Sequence, residues 1–466
     1  MIKRENFRAE ADRIIDWIDD YFEKLKQLPV KSRAKPREIY DNIPSKAPHL
    51  SEGIEAIIKD LDSIIMPGIT HWQHPSFHAY FPANSSYESL LGEMVTAAIG
   101  AQCMVWETSP AAAELEQRMM EWMADASGLP SAFSGVIQDS ASSATLVAII
   151  TARERATQFK SNLEGVPSGL RVYCSSEAHS SIEKGVGVAG IGRNNLVKIE
   201  TDSDQRMIPS QLEKAICDDV AAGFIPICVV AALGTTGTVA IDPIAEIATI
   251  CKKYNVWLHV DGAYAGTALL LPEHRHIGNG IEHADSFVFN PHKWMFVNFD
   301  CSLYYVKDSQ LLVRTFDILP EYLKTATRGQ VNDYRDWGIP LGRRFRALKL
   351  WFVLRGFGLE GIRQRVREQI LLNEYFAEQI SQSGHFEILK PPFLGFTLFC
   401  VRSEDDSISE KLLSTINASG EVYLSHTKVN GRFAIRFHSA QTYVQKEDID
   451  KVVEVLNRFK YGNKIT

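Results

Sequence analysis

The chain has 466 residues, 45% hydrophobic and 23% charged, an ordinary globular composition that excludes a disordered chain, a fibre or a miniature scaffold. Lys and Arg total 50 against 57 Asp and Glu, a net charge of −7 without any long run of like charge, so no basic surface for nucleic acid or anionic lipid is implied. Seven scattered cysteines with no C-x-x-C pair read as reduced core or pocket residues, and no apolar run approaches the ~20 residues that cross a bilayer, so the expectation is a cytoplasmic protein with neither nucleic acid nor membrane as partner.

Apolar residues at Phe7, Ala11, Ile14, Ile18, Tyr21, Leu25 and Leu28 alternate steps of four and three, which predicts an amphipathic helix ending before Pro29. Its stripe could pack on its own domain or across a second subunit, and the pattern alone leaves both open. A second helical pattern runs over 51–65. From Ser134 onward short apolar runs at 170–174, 196–199, 227–233, 256–260, 286–289 and 302–306 alternate with helical stretches such as 210–222 and 244–254, the signature of a parallel sheet wrapped by helices. Beyond about residue 350 a long helix runs into 361–382. Strands at 396–401 and 433–437 then alternate with helices at 409–418 and 446–459, which reads as a smaller α+β domain.

Three segments carry chemistry. Lys293, in Phe289-Asn290-Pro291-His292-Lys293-Trp294, follows a strand, and its apolar neighbours would desolvate the ammonium and make the amine a usable Schiff-base former. Asp261 ends another strand and is followed by the small Gly262 and Ala263; it could be a turn aspartate, or the partner of a protonated ring nitrogen with Ala263 leaving room for a flat ring. Gln138 to Thr145 opens a helix with small hydroxyl residues, where exposed backbone N–H groups can meet an anion. Each is weak alone. Together they answer the aldehyde, pyridinium and phosphate of pyridoxal phosphate.

With the stretches HWQHPSFHAYFPANSS from His71, SSEAHSS from Ser175, LHVDGAYAG, FNPHKWMFVNFDCS and RDWGIPLGRRFRALKLWFVLR from Arg335, nearly the whole chain resembles the aromatic-L-amino-acid decarboxylases, group II pyridoxal-phosphate decarboxylases, and is closest to their bacterial members. That resemblance implies the aspartate-aminotransferase-like transferase fold of type I: a large α/β domain with a mostly parallel seven-stranded sheet at 85–350, an N-terminal helical dimerisation segment at 1–84 and a small C-terminal α+β domain at 351–466.

The resemblance also implies residue roles. Lys293 would carry the cofactor covalently, Asp261 would keep its ring nitrogen protonated, and His179 would stack on the ring and orient the substrate carboxylate. Ala141, Ser142, Asn290 and His292 match phosphate-contacting positions, Thr236 lies beside the ring, and Ala263 packs on its other face. Tyr334 matches a mobile-loop tyrosine that returns a proton to Cα and reaches a neighbouring subunit's site. Trp72, Tyr80, Phe81, Pro82 and Met104, with His179, would form the pocket of an aromatic L-amino acid. Ala83 and Gln102-Cys103-Met104 depart from the mammalian pattern where ring hydroxyls would be read. The implied protein is a homodimeric enzyme forming arylalkylamines and carbon dioxide. Rivals are an aromatic aldehyde synthase, a catalytically silent interaction protein on the same fold, and an aminotransferase using Arg343, Arg344 or Arg346 to clamp a carboxylate.

Overall fold

The computed structural model describes residues 6–318, 327 and 329–459. Seven strands form the larger sheet: β1 (Ser134–Gln138), β2 (Leu170–Ser175), β3 (Leu196–Ile199), β4 (Ile225–Ala232), β5 (Trp257–Asp261), β6 (Ser286–Phe289) and β7 (Ser302–Val306), in the order β1-β7-β6-β5-β4-β2-β3. Neighbours from β3 to β6 are parallel, whereas β7 runs antiparallel to both β6 and β1. It follows that β1, β2, β4, β5 and β6 point the same way, and the chain leaves all five at one edge of the sheet. β5 (Trp257, Leu258, His259 and Val260 buried) and the wholly buried β6 are mostly apolar, with His259 and Ser286 as buried polar exceptions, because helices cover the sheet. The helix Ala141–Ala156 supplies one cover, burying Ala144, Thr145, Ala148, Ile149 and Ala152.

Contacts divide the chain into two units rather than the three segments drawn at residues 84 and 350. Residues 83–371 with 428–431 form one, and residues 1–82, 372–427 and 432–466 form the other. A boundary at 350 falls inside the helix Arg346–Gln382, which runs on through a kink at Gly358, φ 67°. The smaller unit has a four-stranded sheet ordered β10-β11-β9-β8, from β8 (Phe386–Phe393), β9 (Phe396–Val401), β10 (Ser425–Val429) and β11 (Arg432–His438). β8 escaped the sequence reading because it contains Pro391 and Pro392; it lies at the sheet's edge, where a missing N–H is tolerated. The N-terminal segment joins this unit through its own hydrogen bonds: Val30 N donates to Gly420 O at 2.8 Å and His78 N to Tyr423 O at 2.9 Å. The amphipathic helix Phe7–Lys24 buries none of its residues in the chain.

Candidate active site

The exits of β1, β2, β4, β5 and β6 bring most of the expected site residues into the larger unit. Lys293 sits on the short helix Pro291–Trp294 that follows β6. Its backbone is fixed on both sides. Lys293 N donates to Asn290 O at 2.9 Å, Asn84 N donates to His292 O at 2.9 Å, and the Asn84 side chain donates to Lys293 O at 2.8 Å. Trp294, fully buried, stacks on Tyr264 with ring centroids 4.7 Å apart and donates its indole N–H to Gln369 at 2.8 Å. Asn84 and Gln369 were not singled out from the sequence. An asparagine in a Ser-rich loop and a glutamine inside a helix have no spacing that marks them as supports of a lysine far along the chain.

Asp261 ends β5 and accepts a hydrogen bond from Ala263 N at 3.0 Å, which orients one carboxylate oxygen and leaves the other for a ligand. Ala263 O accepts from Asn290 N at 3.1 Å, tying the β5 exit to the β6 exit. His179 lies beyond β2 and remains exposed. Its Nδ1 is 2.8 Å from Ser181 Oγ and accepts from Ser181 N at 3.2 Å, so the neutral ring carries its proton on Nε2. The His179 pKa is lowered, first by partial desolvation and then by the Lys293 charge, while Asp261 opposes the shift; the three groups therefore share one electrostatic neighbourhood.

At the phosphate end, Ser140 caps the helix Ala141–Ala156 by accepting from Ser143 N at 3.2 Å, leaving Ala141 and Ser142 in the first turn with Ser142 exposed. His292 is buried. Its Nδ1 accepts from Cys301 N at 2.9 Å, and burial together with the charges of Lys293 and Lys349 depresses its pKa to about 3. The ring is therefore neutral, with an Nε2–H free to donate to an anion. Asn290 Oδ1 is a buried oxygen with no protein partner. Thr236, past the end of β4, is exposed, next to Thr235, which is buried and bonded to Thr238 at 3.1 Å. A carboxylate for a ring nitrogen, an amine, a helix start and the neutral His292 donor are groups of the kind pyridoxal phosphate requires.

Tyr334 and the expected aromatic pocket residues have the following surroundings. Tyr334 is held against the larger unit in this structure. It opens the helical turn Tyr334–Trp337, is only 2% exposed, packs against Trp337 at 5.4 Å and lies under the Arg343 guanidinium at 5.0 Å. Its phenol is pushed up by burial and its oxygen has no hydrogen-bond partner of good geometry. The cause is the anchoring of the surrounding segment: Arg335 N donates to Met104 O at 2.9 Å, Trp106 N to Asp333 Oδ1 at 2.9 Å and Gln138 to Trp337 O at 3.1 Å. Trp72, Tyr80, Phe81 and Pro82 belong to the smaller unit. There Trp72 and Tyr80 are exposed and stacked at 5.9 Å, whereas Phe81 and Pro82 are buried, Phe81 against Phe396 at 5.9 Å.

The candidate carboxylate-clamping arginines are all committed. Arg343 binds Glu116 at 2.6 Å, Arg346 grips Asp300 with bonds of 2.9 and 3.1 Å, and Arg344 contacts Glu93. That removes the structural basis for the aminotransferase reading.

The pyridoxal-dependent decarboxylase conserved domain matches residues 36–402. The chain belongs to the pyridoxal-dependent decarboxylase family. It is 41% identical to the aromatic-L-amino-acid decarboxylase of Mus musculus, over 92% of each chain, and 40% identical to the phenylacetaldehyde synthase of Arabidopsis thaliana, over 93% of this chain and 91% of that one. A crystal structure of Oryza sativa TDC with PLP and tryptamine superposes with a TM-score of 0.96 at 31% identity, covering 99% of both chains. The protein is thus a lyase of the aromatic amino acid decarboxylase group with the type I fold, and its cofactor is pyridoxal 5'-phosphate. Among the described residues no helix is long and apolar enough to cross a membrane.

Proposed function

We propose that this decarboxylase converts aromatic L-amino acids, of the class of dopa, 5-hydroxytryptophan, tryptophan, tyrosine and phenylalanine, to arylalkylamines and carbon dioxide in the cytoplasm. The observation that carries the reading is the gathering of Lys293, Asp261, His179 and the start of the Ala141–Ala156 helix at one edge of the larger sheet. Exposed, stacked rings such as Trp72 and Tyr80 are of the kind that suits a flat side chain.

The bound cofactor supplies an electron sink for the pair released when the Cα–carboxylate bond breaks. The chain's own residues do the rest. Lys293 anchors the cofactor through its amine and Asp261 stabilises positive charge on the ring nitrogen. Neutral His292 and the helix start, with Ala141, Ser142 and Asn290, hold the phosphate, while Thr236 and Ala263 bound the ring. His179 would lie against the cofactor and help orient the substrate carboxylate. Proton return to Cα needs an acid, and Tyr334 is the residue we assign to that role. Tyr334→Phe tests this: decarboxylation impaired with the cofactor still bound is expected, and full decarboxylation in the variant would remove Tyr334 as the donor.

We also propose a homodimer. On the helix Tyr87–Ile99 the exposed Tyr87, Leu91, Met94, Val95 and Ile99 recur at four, three, one and four residues, an apolar stripe that a monomer would leave in water. The helix Phe7–Lys24 has no buried residue and offers a second such face.

The decisive assay gives purified holoenzyme a panel of aromatic amino acids and measures amine, carbon dioxide, hydrogen peroxide and ammonia together. Amine matching carbon dioxide with little peroxide supports the decarboxylase. Peroxide and ammonia with aldehyde would overturn it in favour of the aldehyde synthase reading, and absence of turnover across the panel would count against the substrate class.

A further inference from the structure

Trp257 and His259 on β5, Ser286 on β6 and Thr145 on the helix Ala141–Ala156 are all at most 1% exposed. The Trp257 indole donates to Ser286 Oγ at 2.9 Å, His259 Nδ1 lies 2.9 Å from the same oxygen, and His259 Nε2 lies 3.2 Å from Thr145 Oγ1. An indole N–H can only donate, and a neutral imidazole has one donor and one acceptor, so in either tautomer both ring nitrogens are engaged. None of these four residues was assigned a part in binding or chemistry above.

Their placement is what matters. β5 ends in Asp261, β6 leads within four residues into Lys293, and the helix carries Ala141 and Ser142 at its start. His259 precedes Asp261 by two residues, so both side chains lie on the same face of β5. The three groups that must meet one rigid cofactor therefore ride on three elements that are cross-linked at a single imidazole. Apolar packing of the sheet against the helix would hold these elements together without fixing their spacing; directional hydrogen bonds fix it.

We infer that His259 is a positioning residue of the cofactor site, setting the spacing among Asp261, the Lys293 turn and the phosphate-binding helix through Ser286 and Thr145. The inference rests on the cofactor assignment and is independent of which amino acid is the substrate. Burial keeps the ring neutral, with its pKa lowered to about 4, so the cross-link holds throughout the neutral range.

The test uses His259→Leu, which removes both bonds, and His259→Gln, which retains one donor and one acceptor. Pyridoxal phosphate is titrated into the stripped proteins, the visible absorbance band of the loaded proteins is followed against pH, and thermal unfolding of the stripped proteins is recorded. For His259→Leu we expect cofactor dissociation raised about tenfold, a part of what losing the two buried hydrogen bonds costs. The pH midpoint of the band should also move by about half a unit or more, since Asp261 would no longer be held in register. His259→Gln should recover most of both. A leucine variant that loses thermal stability but binds cofactor within about twofold and keeps the band's midpoint would overturn the inference, leaving only a packing role. If His259→Leu fails to fold, Thr145→Val and Ser286→Ala probe the same links from their far ends, and unchanged affinity and midpoint in both would overturn it equally. Because binding and spectrum are read without turnover, failure of the aromatic substrate assay would leave this result standing.

Discussion

Arg343 donates to Glu116 at 2.6 Å and to Ile137 O at 2.9 Å, and Glu116 also accepts from Ile137 N at 2.8 Å, a charge pair withdrawn from water. Removing one member leaves the other buried and uncompensated, so Glu116→Ala should cost about 3–5 kcal/mol in urea unfolding; a loss below about 1 kcal/mol would show that water re-enters and solvates Arg343. Tyr334 gives the contrasting case. Its hydroxyl is buried without a well-placed partner, so Tyr334→Phe should leave stability unchanged or raise it by about 1 kcal/mol, measured in the same way. At this scale Lys293, Asp261 and the hydroxyl-rich helix start could be found in the sequence because each follows or opens an element with a recognisable pattern. Asn84, Gln369 and His259 could not: their partners lie far along the chain, and nothing in local spacing announces a hydrogen bond across a fold.

Among elements, the run Asp261-Gly262-Ala263-Tyr264-Ala265-Gly266 brings the backbone after β5 directly against β6. A Cβ on Gly266 would fall on the Cβ of Phe289, which belongs to the strand leading into Lys293. Gly266→Ala should therefore cost about 1–3 kcal/mol through overpacking and also weaken cofactor retention, whereas an unchanged thermal midpoint would mean that β6 shifts freely. On the helix Tyr87–Ile99 the exposed Leu91 sits mid-stripe, and Leu91→Glu should shift the protein toward monomer in sedimentation if that face is the subunit contact. A dimer indifferent to the change would place the contact elsewhere. The strands β3, β6 and β7 coincide with the runs expected from sequence because apolar β-branched and aromatic stretches bounded by turns permit little else. The division near residue 350 did not, because the amphipathic period carries through a glycine kink and local composition does not register where contacts part.

For the whole molecule, acid is the sharpest lever. His74, His78 and His259 are buried, and desolvation lowers each pKa to about 4, against ~6.5 in an unfolded chain. Between those values the unfolded state binds more protons, so their contribution is fully present above about pH 6.5 and is lost as pH falls toward 4, at roughly 1.4 kcal/mol per pH unit for each histidine. Asp242 works the other way: burial raises its carboxyl to about 6, which favours the folded state as pH falls through that value. Three groups outweigh one, so urea unfolding of the cofactor-free protein should show stability level above pH 7 and falling steeply below pH 6.5. Stability held constant down to pH 5 would mean that these rings are hydrated in solution.

The sequence by itself determined the alternation of strands and helices, the composition of the core and the three chemical groups a cofactor demands, because each is written in residues close together along the chain. Only the tertiary structure decided which strand exits share an edge, since β7 reverses the sheet's direction and β1 crosses to its far side. It also decided that Tyr334 is buried beneath Arg343, that the N-terminal segment packs with the C-terminal sheet, and that one imidazole links β5, β6 and the phosphate-end helix. Those outcomes depend on contacts between residues tens to hundreds of positions apart, where packing and hydrogen-bond satisfaction, not local propensity, select the neighbour.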